Sequence, residues 1–278
     1  MAAAAQVRTL IELLRAEVGP TPDAKEGDLL EWFVETFASR RAFANSAEGD
    51  PDAADFARLF DGILRARFVL PAWWDVTPEV QRLRVLQAVR LLLREPSLQS
   101  AWAELPGVTS VFAERFARYA GTHCSATESA YGLEIVVEFA AMAKRLCAHT
   151  GAGPRQALAQ GGVPRTLVLL LSSGDAVVLH SVVVALVHLA MDSAQRASLS
   201  GLDCVPSLLR HLRDGGQEPL RQAVAQLLLL LAREPRARAD IRSSNGTAAL
   251  LRYGYLQTRA CVENGAHQYV GTSQSCMV

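Results

Sequence analysis

The sequence predicts an all-α protein built from stacked helical repeats. The main evidence is a self-match at a spacing of 42 residues, in which Val163 and Pro164 recur as Val205 and Pro206. The match stays in phase through the next helix, at Val182/Val224, Leu186/Leu228, Leu189/Leu231 and Ala190/Ala232. Hydrophobic residues make up 50% of the chain but aromatic residues only 6%, so the apolar content is mostly Leu, Ala and Val, which suits helix-on-helix packing.

Each repeat also has the signals of a short, a medium and a long helix. Gly161-Gly162 ends the first helix, because glycine readily takes the left-handed conformation at a helix terminus. Pro164 suits the first turn of the second helix, over 163–171, where a missing N–H costs little. A break at 172–175 precedes a long helix over 176–191, whose apolar residues recur every three or four positions.

A second self-match, at an offset of 139 residues, extends the repeats toward the N-terminus. Residues 92–96 resemble residues 231–235, and Gly107 falls where Gly246 falls. This offset equals about three repeats plus an enlargement, which we place at 120–128 because Gly, Ser and Thr residues there indicate a loop.

These matches divide the chain into three parts. Residues 1–55 are predicted to form an N-terminal helical cap, with helices over 7–16 and 29–43 and an acidic loop at 44–54. Residues 56–253 form the repeats, and residues 254–278 form a disordered tail with little apolar content. The repeat pattern stops near 253–254, which predicts a truncated solenoid, as in one isoform of a longer protein.

Composition and motifs exclude several classes of function. The 28 basic and 28 acidic residues cancel, so we expect no nucleic-acid binding. The most apolar run, 227–232, is too short to span a membrane, and the N-terminus does not resemble a signal peptide. The five cysteines lack zinc or disulfide spacing, which indicates a reducing, intracellular compartment. No phosphate-binding loop, kinase catalytic loop or nucleophile elbow is present, so we predict no enzyme activity, catalytic residue, cofactor, metal or small-molecule substrate.

Two adjacent tryptophans, Trp73 and Trp74, stand out in this aromatic-poor chain. Tryptophan is enriched at binding hot spots, so the pair is a candidate anchor for a protein partner. Burial between the N-terminal cap and the first repeat is the alternative interpretation.

The short–medium–long order, with glycine before the second helix, resembles the armadillo repeat. This resemblance implies a right-handed α-solenoid whose long third helices line a groove that binds a protein partner. In peptide-binding members an Asn clamps the ligand backbone and a Trp lies one turn earlier. Here the corresponding residues are Leu91, His188 and Leu230 for Asn, and Gln87, Val184 and Gln226 for Trp. Because this ladder is missing, we expect the groove to take a helix or a folded partner, and we select Gln87, Val184, His188, Gln226 and Leu230 as candidate partner-binding residues.

A more specific resemblance rests on the segment from Leu59 to Trp73, on 83–86 and on 90–96. These residues are similar to the armadillo region that precedes the kinase domain in an armadillo-bearing member of the NIMA-related (NEK) kinase family. The resemblance implies a regulatory or targeting segment, or a kinase-less isoform, in ciliary or cell-cycle signalling.

The implied location is the cytoplasm, with the cilium or centrosome as its specific sites and the nucleus left open. The alternative is a stand-alone armadillo adaptor of cilia or the cytoskeleton that is unrelated to a kinase. The apolar end of the last repeat is a candidate surface for self-association.

Overall fold

The computed structural model describes residues 2–15, 24–39, 51–125, 130–214 and 217–263, with side chains through residue 254. These residues form helices and turns and no strand, so the all-α prediction is confirmed. The α-helices are α1 (Ala2–Arg15), α2 (Ala24–Phe37), α3 (Ala53–Ile63), α4 (Pro71–Val76), α5 (Glu79–Leu92), α6 (Pro96–Glu104), α7 (Val108–Cys124), α8 (Gly132–Ala148), α9 (Ala152–Gln160), α10 (Val163–Leu169), α11 (Ala176–Ala190), α12 (Ser193–Ser200), α13 (Val205–Arg213), α14 (Glu218–Leu231), α15 (Pro235–Ser243) and α16 (Gly246–Glu263). A π-helical stretch, Leu64–Phe68, continues α3, and a 3-10 turn, Leu170–Ser172, continues α10.

The long helices stack side by side along the molecule. Helix α2 packs on α5, α5 on α8, α8 on α11, and α11 on α14. The medium helices form a second row, in which α7 packs on α10 and α13 on α16, and the short helices α6 and α9 also touch. Each unit therefore buries its apolar faces against the units before and after it, as expected of a solenoid.

The predicted repeat length is confirmed by where the helices begin. Helices α10 and α13 begin at Val163 and Val205, and α11 and α14 begin at Ala176 and Glu218, so both pairs are 42 residues apart. The preceding unit is larger because α7 has 17 residues where α10 has 7 and α13 has 9. Part of the enlargement predicted at 120–128 is therefore helical, and residues 126–129 lie outside the described residues.

A left-handed residue stands between the first and second helix of each of the last four units, at the junctions α6–α7, α9–α10, α12–α13 and α15–α16. The residues with positive φ in the described part of the chain are Gly107 (76°), Gly162 (84°), Asp203 (51°) and Asn245 (54°). The prediction for Gly162 is confirmed. Gly246 does not have the same role as Gly107, because the preceding Asn245 takes the left-handed conformation and Gly246 begins α16.

The N-terminal helices are joined to the repeats through buried contacts. Helix α2 occupies the place of a long helix in the stack, and the Arg67 guanidinium donates to both Glu26 carboxylate oxygens at 2.8 and 2.6 Å. Both side chains of this pair are less than 10% exposed. Helix α3 begins at Ala53, so a boundary at 55/56 would pass through a helix. Most of the predicted acidic loop at 44–54 lies outside the described residues.

The last helix is longer than the sequence pattern predicted. Helix α16 continues to Glu263, where the apolar pattern predicted an end near 253–254. The remaining residues, 264–278, lie outside the described part of the chain.

A buried leucine of a long helix is expected to contribute strongly to stability. Leu186 on α11 is 1% exposed, and we expect Leu186→Ala to lower the free energy of unfolding by about 2–5 kcal/mol through lost burial and a residual cavity. The matched control is Leu229→Ala on α14, where the side chain is 62% exposed, with an expected loss below about 0.5 kcal/mol. Urea unfolding measures both, and equal losses would contradict the stacked arrangement.

The left-handed junction predicts a second stability difference. Gly162→Ala places a Cβ on a residue with φ of 84°, and we expect it to lower the free energy of unfolding by about 1–2 kcal/mol. Gly174→Ala is the control, because a Cβ there meets no atom within 4 Å and its φ is not positive. We expect that change to be neutral or stabilising by up to about 1 kcal/mol. The junction geometry is wrong if thermal unfolding finds the two variants equally stable.

Candidate protein-binding surface

The stacked long helices leave one stripe of each helix facing solvent. On α8 the accessible positions include Val137, Ala141 and Arg145, and on α11 they include His180, Val184 and His188. Their spacing of three to four residues corresponds to one side of a helix. We name the accessible stripes of α2, α5, α8, α11 and α14 together the groove face.

The five residues selected from the sequence lie on this groove face. Gln226 is exposed, and the other four are half-buried. Val184 and His188 on α11 lie beside Gln226 and Leu230 on α14, since these two helices pack together. Gln87 is separate from the others, because α8 lies between α5 and α11.

The two tryptophans are core residues. Trp73 is 3% exposed and Trp74 is 1% exposed. The Arg115 guanidinium lies 4.0 Å from the centroid of the Trp74 ring and donates to the Phe68 carbonyl oxygen, which ties α7 to the segment before α4. Burial lowers the pKa of Arg115 to about 10. An anchor for a partner must be accessible, so the structure supports the alternative interpretation, burial beside the first repeat.

None of the candidate partner-binding residues selected from the sequence lies on α8, although this helix is at the centre of the groove face. The residues 42 positions before Val184 and His188 are Met142 and Leu146, and both of these side chains are fully buried. The accessible stripe of α8 instead matches α11 at a spacing of 43 residues, with Ala141 and Arg145 in the equivalent positions. The apolar period of α8 taken alone, without the repeat spacing, would have found this stripe.

A cluster of four cations lies where the C-terminal ends of α5 and α8 meet. We name Arg90, Arg94, Lys144 and Arg145 the basic cluster. Burial, followed by repulsion from neighbouring cations, lowers the pKa of Arg94, Lys144 and Arg145. Arg90 pairs with the nearly buried carboxylate of Glu138, and burial raises the pKa of that carboxyl although Arg90 opposes the shift. The cluster therefore carries an excess of positive charge.

The charge of the groove face changes along the stack. Helix α2 presents Asp28, Glu31 and Glu35, and Glu31 pairs with Arg84 of α5. Helices α11 and α14 present valine, histidine, glutamine and leucine. Burial, and secondarily Lys144 for His180 and Arg155 for His188, lowers the pKa of both histidines, which keeps them neutral at pH 7. The face therefore runs from acidic through basic to neutral.

The described residues offer no candidate metal site and no candidate membrane span. No group of three or more His, Cys, Asp or Glu side chains there could hold a metal ion. None of the helices in that part of the chain combines the length and the apolar character needed to cross a membrane.

Comparison with known proteins links the chain to one kinase. No family model matches. The chain is 28% identical over 228 residues to the serine/threonine-protein kinase Nek10 of Mus musculus, and 27% identical over 228 residues to Nek10 of Homo sapiens. Both alignments cover 82% of this chain, but only 20% of the mouse protein and 19% of the human protein. The chain thus matches about a fifth of the length of these curated relatives.

Solved structures with a similar fold are armadillo repeat proteins. A computationally designed armadillo repeat protein for modular peptide recognition has a TM-score of 0.65 and 14% identity, covering 88% of this chain and 91% of that one. A designed armadillo repeat protein in complex with the peptide (KR)4 has a TM-score of 0.62 and 13% identity, covering 88% and 90%. The chain therefore has the armadillo-type solenoid fold.

The electrostatics of the groove face can be tested by titrating its histidines. Lys144→Gln removes a cation near His180, so protonating His180 becomes less unfavourable and its pKa should rise toward the ordinary value of 6.5. Because burial is the larger cause of the shift, the rise should be partial. NMR titration of the histidine ring carbons measures it. His188 serves as the internal control, with a pKa that should respond to Arg155→Gln and not to Lys144→Gln.

Proposed function

We propose that this protein is a non-catalytic scaffold that binds another protein along its groove face. The observation that carries the proposal is the unbroken stack of α2, α5, α8, α11 and α14, which leaves an accessible stripe on five successive helices. Extended surfaces of this kind are what repeat proteins use for binding. The proposal is also supported by the similarity to a protein designed for peptide recognition.

We further propose that the partner binds as part of kinase-linked regulation. This finer proposal rests on the similarity to Nek10 over 82% of the chain, which suits a regulatory or targeting segment, or a kinase-less isoform that occupies the same partners. Under this proposal the protein acts in the cytoplasm, at the cilium or centrosome. The alternative is a stand-alone adaptor of cilia or the cytoskeleton. Self-association through α16, where the Leu251 side chain is 70% exposed, is a separate proposal.

The groove is tested by placing charge on it. We expect the whole chain with Val184→Glu, His188→Glu and Gln226→Glu to lose its partners, because each new carboxylate would be desolvated at the interface. Proximity labelling in ciliated cells measures the result, with an expected loss of about tenfold or more in the partners' signal. Full-length Nek10, labelled in parallel, should share those partners if the protein is kinase-linked and should not if it is an adaptor.

The controls separate lost binding from lost folding. Ser110→Glu, Gln160→Glu and Ala197→Glu add the same charge at exposed positions on first and second helices, and should leave the labelling unchanged. Thermal unfolding checks each variant, and Gln226→Glu with Gln222→Glu, both at exposed positions, repeats the test without changing a half-buried residue. Unchanged labelling in folded groove variants would show that the partner binds elsewhere.

A further inference from the structure

We propose that the basic cluster is the specificity site of the groove and that it binds a short acidic segment, a run of Asp and Glu residues, of the partner protein. The inference rests on the proposed scaffold function and adds the chemistry of the partner. It places the contact at the junction of α5 and α8, outside the set of residues that the sequence indicated.

Two half-buried cations of the cluster lack a hydrogen bond or ion pair within the described residues. Eleven Lys and Arg residues in the described part of the chain are buried or half-buried. Nine of them make hydrogen bonds or ion pairs: Arg67, Arg82, Arg84, Arg90, Arg94, Arg115, Arg155, Arg196 and Arg221. Lys144 and Arg145 make neither with any described residue. Taking a cation partly out of water is unfavourable unless a counter-charge offsets the cost. Glu138 attracts Arg145 but is already paired with Arg90, so an anion that binds here removes an existing penalty.

The fold holds Arg90 and Arg94 in place and favours positive charge at Arg145. Arg90 and Arg145 lie in the last turns of α5 and α8, where the negative end of the helix macrodipole favours positive charge. Arg94 donates to the Ala38 carbonyl oxygen at 2.8 Å, beyond the end of α2. The Glu138 carboxylate forms its ion pair with Arg90 and also attracts Arg145. Two of the four cations are thus positioned before a ligand arrives, and the cluster has more cations than carboxylates among the described residues.

The size and surroundings of the basic cluster indicate what kind of ligand fits it. Packed helices lie about 8–10 Å apart, so a patch on α5 and α8 matches about three residues of extended chain. Carboxylates of α2 flank it on one side and neutral residues of α11 on the other. A nucleic-acid duplex carries about one negative charge per 1.7 Å along its whole length, so it would extend past the patch and meet the acidic side. A short acidic protein segment fits this boundary.

The charge also separates this groove from that of a similar designed protein. The solved armadillo complex contains the peptide (KR)4, which is basic. The basic cluster would repel such a peptide and attract the peptide of opposite charge, (DE)4. The pair (DE)4 and (KR)4 therefore provides matched probes.

The test is calorimetric titration of the whole chain with (DE)4, (KR)4 and a ten-base-pair DNA duplex. We expect (DE)4 to bind, with an affinity that falls as salt is added, and (KR)4 not to bind. The double variant Lys144→Gln, Arg145→Gln should weaken (DE)4 binding about tenfold. Lys144 and Arg145 repel each other and form no ion pair with any described residue. The double variant should therefore unfold at the same temperature as the wild type or above it.

The control variant, Arg165→Gln with Arg238→Gln, removes the same charge from exposed positions on α10 and α15 and should bind (DE)4 as the wild type does. Equal weakening in both variants, absence of (DE)4 binding, or tighter binding of the duplex than of (DE)4 would each overturn the inference. A different outcome is that (DE)4 does not bind but the variant with Val184→Glu, His188→Glu and Gln226→Glu still loses its partners in proximity labelling. In that case the scaffold function stands and the partner has another chemistry.

Discussion

The whole structure depends on the burial of each long helix between its two neighbours. Helix α11 has 10 of its 15 residues buried, which no amphipathic helix on the surface of an isolated unit could achieve. It packs on α8 on one side and on α14 on the other. The same packing decides what is left for function, because each long helix keeps only one accessible stripe. The groove face is therefore a consequence of stacking.

Stacking also concentrates charge in a chain whose formal net charge is zero. The C-terminal ends of α5 and α8 lie side by side, and the basic residues that favour those ends come together there. Arg90 pairs with Glu138, and Arg94 donates to the Ala38 carbonyl oxygen after α2, whereas Lys144 and Arg145 form no ion pair with any described residue. The average charge of the chain is consequently a poor guide to the charge of its binding surface.

Features that depend on neighbouring residues could be predicted from the sequence, whereas features that depend on distant residues could not. The 42-residue period, the starts of α10 and α11, and the left-handed Gly162 were predicted correctly. The stripe of α8 was missed because its register differs by one residue from the repeat spacing, which transfers surface positions to the buried Met142 and Leu146. The two tryptophans were placed among candidate anchors because nothing in their local sequence indicates that Arg115 and Phe68 pack on Trp74 and Arg67 on Trp73.

The sequence by itself determined the helices, their order and the repeat length, because apolar spacing and helix-breaking residues act over a few positions. Only the tertiary structure decided which side of each helix meets solvent and which charges are paired. Those outcomes depend on residues far apart in the chain, as with Arg67 and Glu26 at a separation of 41 residues, or Arg90 and Glu138 at 48. The lack of an ion pair for Lys144 and Arg145 among the described residues is an outcome of this kind, since it depends on which side chains the neighbouring helices supply.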